Sequence, residues 1–200
     1  MAPTRVADIS MSLDGYVTGP APGPAAGLGE GGEPLHTWAM ASDDATDAEV
    51  LASATEATGA VVMGRRLFDV VDGPQGWDDE VGYGAAHAAT PPVVVVTHDP
   101  PSTWRLGDRI TFAPDGVAAA LDQAEARMGD GDGEVVVMGG GEVVRQAVEH
   151  GLVAQLRIHL APIVLGGGTS LFPAGTARRA LLPVEVRPTP HATHITYELR

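Results

Sequence analysis

Val93-Val94-Val95-Val96 is an uninterrupted β-branched run, and Val135-Val136-Val137-Met138 is nearly another. A strand with no polar alternation has to be covered on both faces, and that condition is met in a parallel sheet with helices on either side. The neighbouring segments repeat the pattern. Val6 to Ser12, Ala60 to Met63 and Ile110 to Ala113 read as further strands. Helical periodicity falls between them. Asp43, Asp44 and Thr46 offer N-caps for a helix to about Thr58, with Leu51, Ala54 and Thr58 on one face. A short helix is expected from Arg65 to about Val71. Asp115 would cap a helix burying Val117, Ala118, Leu121, Ala124 and Met128. A last helix buries Val143, Val144, Ala147 and Val148 and is closed by Gly151.

After Gly151 the alternation stops. Gln155 to Leu165, Leu182 to Arg187 and His194 to Leu199 read as strands with no helices between them. The expected fold is α/β: a mostly parallel central sheet with helices on both faces and antiparallel C-terminal strands. Residues 1–200 are expected to form one domain. The Gly/Pro-rich stretch Gly19 to Pro34 has no periodicity and is expected to be a flexible loop, either a lid or an insertion. Asp72 to Ala89 reads as irregular.

Charge narrows the partners. The net charge is −14, and all twelve basic residues are Arg. So acidic a chain, without Lys, fits neither nucleic acid nor an anionic membrane surface. Any phosphate it holds must be met by Arg, hydroxyls or backbone N–H groups. There is no Cys, which excludes disulfides and thiolate chemistry. The His are scattered without zinc spacing, so no metal site is expected. No apolar run reaches roughly 18 residues. The start, Met1-Ala2-Pro3-Thr4-Arg5, shows no signal-like pattern, and a cytoplasmic protein is expected.

The chemistry falls at strand ends. Val137-Met138-Gly139-Gly140-Gly141-Glu142-Val143 runs from a buried strand through three glycines into a helix. Close backbone approach and unpaired N–H groups there suit a pyrophosphate; the alternative is a tight turn. Met63-Gly64-Arg65-Arg66 repeats the pattern with two guanidinium groups, either phosphate forks or surface arginines. Thr97 and His98 end a third strand, beside a ligand or simply opening a turn. Asp14 leaves the first strand in Ser12-Leu13-Asp14-Gly15-Tyr16 and would orient or protonate a substrate, or only make an Asp-Gly turn. Gly166-Gly167-Gly168 precedes no strong helix and reads as a loop.

In this order these segments resemble the dihydrofolate reductase superfamily. The nearest branch is that of the C-terminal reductase domain of riboflavin-biosynthesis deaminase-reductases and its stand-alone relatives. The resemblance also rests on Leu156-Arg157-Ile158-His159-Leu160-Ala161-Pro162-Ile163-Val164-Leu165-Gly166-Gly167-Gly168 and on Thr193-His194-Ile195-Thr196-Tyr197. It implies an oxidoreductase with NADPH as hydride donor. It puts Gly139, Gly140, Gly141, Glu142 and Val143 along the pyrophosphate and nicotinamide. Gly64, Arg65, Arg66 and Thr97 would meet the adenosine phosphate, and Val17, Thr18 and Gly19 would edge the nicotinamide pocket. A homodimer through the C-terminal strands is implied as well. The chain departs from the family in two places. Asp43, Asp44 or Asp47 cannot be matched to the pterin-binding acid, and Tyr16 stands where riboflavin-pathway relatives often carry a basic residue. Tyr16 and Trp38 suggest a flat, weakly anionic substrate reduced at a C=N or C=O bond, with Asp14 as acid. Trp38 could equally plug the loop hydrophobically. A non-catalytic nucleotide-binding module, or a true pyrimidine or dihydrofolate reductase, are the alternatives.

Overall fold

A computed structural model describes residues 3–86, 88–129 and 133–200. Met1, Ala2 and His87 therefore lie outside the described residues. Ten strands are described: β1 (Thr4–Ser12), β2 (Tyr16–Thr18), β3 (Thr58–Gly64), β4 (Val93–Val96), β5 (Ile110–Ala113), β6 (Glu134–Gly139), β7 (Gln155–Ala161), β8 (Thr169–Ser170), β9 (Leu181–Pro188) and β10 (Thr193–Leu199). Eight of them form one sheet in the order β5-β4-β3-β6-β1-β7-β10-β9. From β5 to β7 every neighbouring pair is parallel. Only β10 runs antiparallel, to β7 and to β9. The fold class read from the valine runs and the terminal strands is the one observed.

Helices α1 (Thr37–Met40), α2 (Ala45–Ala57) and α3 (Arg65–Val71) precede or follow β3, while α4 (Val117–Met128) and α5 (Gly141–Glu149) flank β6. Alternate residues of the central strands feed two cores. Ala60, Val62, Val94, Val135 and Val137 pack with α4 and α5. Val61, Met63, Val93 and Val95 pack with Phe68 and Val71 of α3 on the opposite face. These strand residues are 0% exposed, so a polar substitution on either face would bury an unpaired group.

The structure corrects several local expectations. Asp115 does not cap α4: the N-cap is Gly116, with φ +92° and no side-chain cap. Ala118 is exposed and Ala120 is buried in its place. Leu51 is 39% exposed, and the buried residue of α2 is Asp47 instead. The apolar periodicity misplaced this face because α2 docks through a hydrogen-bonding side chain. The strand expected over Gln155 to Leu165 stops at Ala161, where Ile163 N turns back to Ala161 O. Sequence reading also missed β2, β8, a 3-10 turn at Glu33–His36, and α1. Within the loop 19–34, Gly19 N donates to Leu28 O at 2.7 Å and Glu30 N to Pro20 O at 2.8 Å, so its two ends are fastened together.

Candidate cofactor crevice

β1, β3, β4 and β6 are parallel and end on the same edge of the sheet. Beyond β6 the chain enters α5 on one face. Beyond β1 it turns into β2 and leads to α1 and α2 on the other. Where adjacent strands send their connections to opposite faces, a crevice opens at their carboxyl ends. The register confirms a distortion here. Val62 pairs with Val137 but Met63 pairs with Gly139, so β6 carries one extra residue, Met138, just before the glycines. Such a bulge re-aims the chain at a sheet edge.

Each glycine has its own reason. Gly139 adopts φ +134°, a conformation other residues rarely take. The Gly139–Gly140 peptide is cis. A Cβ on Gly64 would lie 2.9 Å from Val143 Cγ2, so the end of β3 is pressed against the start of α5. A Cβ on Gly141 would lie 2.7 Å from Val17 Cγ2, which seats β2 on the same helix start. Gly140 differs: a Cβ there would meet nothing within 4 Å. It borders open space at the N-cap of α5; Gly140 O accepts from Val143 N and Val144 N, which leaves the N–H groups of Gly141 and Glu142 without an intrahelical acceptor. This combination is suited to an anionic ligand lying against backbone.

The side chains around it divide into committed and uncommitted groups. Arg65 Nε donates to Asp69 Oδ1 at 2.7 Å, and its other arm bonds Asp99 O. Arg66 is exposed and, among the described residues, makes no hydrogen bond or ion pair. Thr97 Oγ1 accepts from Asp99 N at 3.2 Å and so caps the turn after β4. The Glu142 side chain bonds Arg145 and Gln146, and the Arg145 guanidinium holds its carboxyl below the usual range. A carboxylate in the first turn of α5 would oppose a phosphate, and the pairing neutralises it.

β2 forms the opposite wall. Tyr16 pairs with Ser170 and Thr18 with Thr169, and the two threonine hydroxyls lie 2.9 Å apart. A Cβ on Gly168 (φ +122°) would lie 1.9 Å from Thr18 O, and one on Gly19 would lie 2.0 Å from Glu30 O. The glycine loop after β7 and the loop 19–34 thus close on the same strand, β2. Sequence reading named Tyr16, Val17, Thr18 and Gly19 but missed the pairing of β2 with β8 and the glycine loop behind it. The Gly166–Gly168 run was its one local signal, and it could not be tied to β2 without the fold.

Asp14 is also engaged. It accepts from Ser12 Oγ at 2.6 Å, from Leu165 N at 3.0 Å and from Gly166 N at 2.7 Å. The Ser12 hydroxyl and these backbone donors hold its carboxyl down to about 2. Near neutral pH it has no proton to give. Of its two readings, the bonding matches the turn: Asp14 ties the β1–β2 corner to the glycine loop. Trp38 lies on α1 and is buried at 7% exposure. Its Nε1 donates to Ser10 Oγ at 2.9 Å, and its ring packs on His159 at 4.0 Å. It is a plug on the α2 side of the sheet, not an open surface for a substrate. No group of three His, Asp or Glu among the described residues is placed to hold a metal.

This chain aligns with the RibD C-terminal domain over residues 3–195. It belongs to that family. The fold extends the relation. A provisionally assigned riboflavin biosynthesis protein from Shewanella sp. PV-4 superposes with a TM-score of 0.69 at 19% identity, covering 98% of this chain and 99% of that one. A pyrimidine reductase-like protein from Corynebacterium diphtheriae gives 0.63 at 17% identity over 99% and 92%. Dihydrofolate reductase from Enterococcus faecalis, complexed with NADP(H) and RAB-propyl, gives 0.53 at 14% identity over 98% and 96%. No curated protein matches the sequence significantly. The fold is that of the dihydrofolate reductase superfamily, and the family is the one that the glycine and strand motifs resemble.

Proposed function

We propose that this RibD C-terminal-family protein is an NADPH-dependent reductase of the riboflavin-pathway type, acting on a C=N or C=O bond of a small planar substrate. The observation that carries the reading is the open space beside Gly140, bordered by the N-terminus of α5 and the ends of β3 and β6. Gly139, Gly140, Gly141 and Glu142 would hold the pyrophosphate by backbone beside Val143, with Gly64 allowing the close approach. Arg66 is the guanidinium available for a 2′-phosphate, since Arg65 is bound to Asp69 and Asp99. Thr97 lies at the adjacent strand end. Val17, Thr18 and Gly19, with Tyr16, would wall the nicotinamide and substrate side and exclude water. The chemistry the cofactor supplies when bound is hydride transfer.

Asp14 enters this proposal as the residue that holds the wall in place, not as the proton donor. A reductase and a non-catalytic nucleotide-binding module share this crevice and differ in turnover. The test is single-turnover loss of NADPH absorbance against pterins, flavin precursors, imines and quinones. Oxidation coupled to one of these classes is the expected result. NADPH binding with no oxidation by any of them would favour the module.

We also propose a homodimer through residues 155–199. The edge strand β9 carries Val184 and Val186 at 47% and 55% exposure, a surface an isolated sheet edge does not usually leave open. Light scattering should give twice the chain mass; a monomer mass at micromolar concentration contradicts it. Among the described residues no helix is long and apolar enough to cross a membrane.

A further inference from the structure

On the sheet face covered by α1 and α2, four side chains from four elements form one continuous chain. His159 Nε2 lies 2.9 Å from Asp8 Oδ1. The Nδ1 atoms of His159 and His194 are 2.7 Å apart. His194 Nε2 lies 2.7 Å from Asp47 Oδ1, and Ser42 Oγ donates to Asp47 Oδ2 at 2.5 Å. Asp47 is 0% exposed, His159 3% and His194 5%. Nothing in the cofactor crevice uses these groups.

Proton counting constrains the chain. It has three links, and each needs one proton. Carboxylates only accept, and a neutral imidazole carries one N–H. Two neutral imidazoles supply two protons, so the third link needs one more. Without it, two nitrogen lone pairs face each other at the Nδ1–Nδ1 contact. With a second extra proton, two N–H groups face each other and two positive charges sit side by side. We propose that Asp8, His159, His194 and Asp47 are a clasp closed by one shared proton. The clasp fastens α2 and Trp38 to the sheet, and it opens when that proton is lost or a second is taken up.

The surroundings place the proton on the imidazole pair. Burial raises the Asp8 carboxyl, but the charge and hydrogen bond of His159 outweigh it and hold Asp8 below its ordinary value. Burial likewise raises Asp47, and hydrogen bonds from Ser42 and His194 bring it below. Both carboxylates stay charged and flank the pair. Burial pushes the His194 imidazole down, and the hydrogen bond to Asp47 works against that push.

The other charges facing the chain are paired, neutral or exposed to solvent. Arg157 of β7 makes two bonds to Glu134 of β6, at 2.7 and 2.8 Å. Arg187 of β9 bonds Glu49 of α2 at 2.6 Å, and Glu185 of β9 lies on the same side. His191 stands 3.8 Å from Asp43. Burial keeps His36 below its ordinary value and Tyr83 above its own, so both are uncharged near neutral pH. Among the described residues none of these bonds into a link of the chain. Asp8, His159 and His194 line a cavity of about 360 Å³ between α2 and the sheet.

The sign follows from linkage. Because one extra proton completes the third link, the clasp stabilises the fold while that proton is held and loses this contribution as pH rises and the proton leaves. A second proton sets two N–H groups against each other at the Nδ1–Nδ1 contact, so stability falls again as the solution is acidified. The apparent values belong to the pair.

Trp38 reports the state of the clasp. Its ring lies 4.0 Å from His159 at 31° and 5.0 Å from His194 at 75°. In protein labelled with ¹⁵N-histidine, His159 and His194 together should show three nitrogen-bound protons at pH 7. The one in the Nδ1–Nδ1 bond should be shifted far downfield. Trp38 emission, read against a Trp38→Phe control, should hold a plateau and change on both its acid and alkaline sides. Asp47→Asn removes one flanking charge while keeping an acceptor. It should pull the alkaline edge of the plateau down by about one pH unit or more, the range expected for loss of a neighbouring opposite charge. Two imidazole protons in the wild type at pH 7 would overturn the proposal, whether or not the variant folds. An alkaline edge unmoved in a folded Asp47→Asn protein would overturn it as well.

Discussion

At the carboxyl ends of β3 and β6 the working surface is backbone. Under α2 it is side chain. The crevice is made of glycines that let chain approach chain, with helix N–H groups and one uncommitted guanidinium at its rim. The cluster beneath α2 is two carboxylates, two imidazoles and an indole, each bonded to the next. A backbone site leaves space for a ligand, and a residue that borders that space, such as Gly140, can change at little cost in stability. A side-chain network fills its space, and it fails when any member is removed. The difference predicts where substitutions should act on binding and where on folding.

The largest expected effect is on the network. Asp47→Ala leaves the buried His194 Nε2 and Ser42 Oγ without their acceptor. A buried pair broken on one side typically loses about 3–5 kcal/mol. Urea unfolding should therefore show a large drop in midpoint with little change in slope. A loss under about 1 kcal/mol would mean that water replaces Asp47 freely, and the cluster would be no different in kind from the crevice.

The two regions were also unequally legible. Val135 to Val143 is one stretch of chain, so the apolar run, the three glycines and the amphipathic helix are visible side by side. β4 and the inward face of α5 are legible for the same reason: their burial repeats with the local period. The network draws on positions 8, 47, 159 and 194, which are adjacent only once β1, β7 and β10 have paired. Asp47 looked like one of three acids at a helix start, and His159 and His194 like isolated histidines in strands. In the sequence Trp38 fits a substrate contact and a hydrophobic plug equally, because nothing local says that its indole finds Ser10. The β2–β8 wall was hidden too, since Tyr16–Thr18 and Thr169–Ser170 are too short to show a period.

At the crevice, the next largest effect should come from Arg66. If it meets a 2′-phosphate, Arg66→Ala should weaken NADPH by about 1–3 kcal/mol and leave NADH unchanged. Arg65→Ala should do less, because its guanidinium already serves Asp69 and Asp99. Titration calorimetry with both nucleotides decides this, and equal losses for NADPH and NADH would remove Arg66 from phosphate recognition.

The smallest effect is expected from the titration of Asp14. Its carboxyl is held at about 2, below the ordinary value. A depressed acid stabilises the fold above its unfolded value, about 3.9, and that contribution is lost as pH falls through the folded one. Turnover between pH 5 and 9 should then show no inflection belonging to Asp14. A ¹³C carboxyl titration of Asp14 with a midpoint above pH 5 would restore it as an acid and contradict its role as a tether.

The central claim is that the space beside Gly140 holds the cofactor. Gly140 has φ −68° and ψ −178°, extended backbone that a β-branched residue accepts, and a Cβ there meets nothing within 4 Å. Gly140→Val should fold with its stability unchanged within about 0.5 kcal/mol. Gly141→Val, whose Cβ would lie 2.7 Å from Val17 Cγ2, should lose about 1–3 kcal/mol from overpacking. The deciding measurement is NADPH affinity of the folded Gly140→Val protein by calorimetry. A loss on the order of 100-fold or more, equivalent to about 2.8 kcal/mol, is the expected result. Wild-type affinity in that variant would mean that the three glycines are only a turn and that the cofactor, if bound, lies elsewhere.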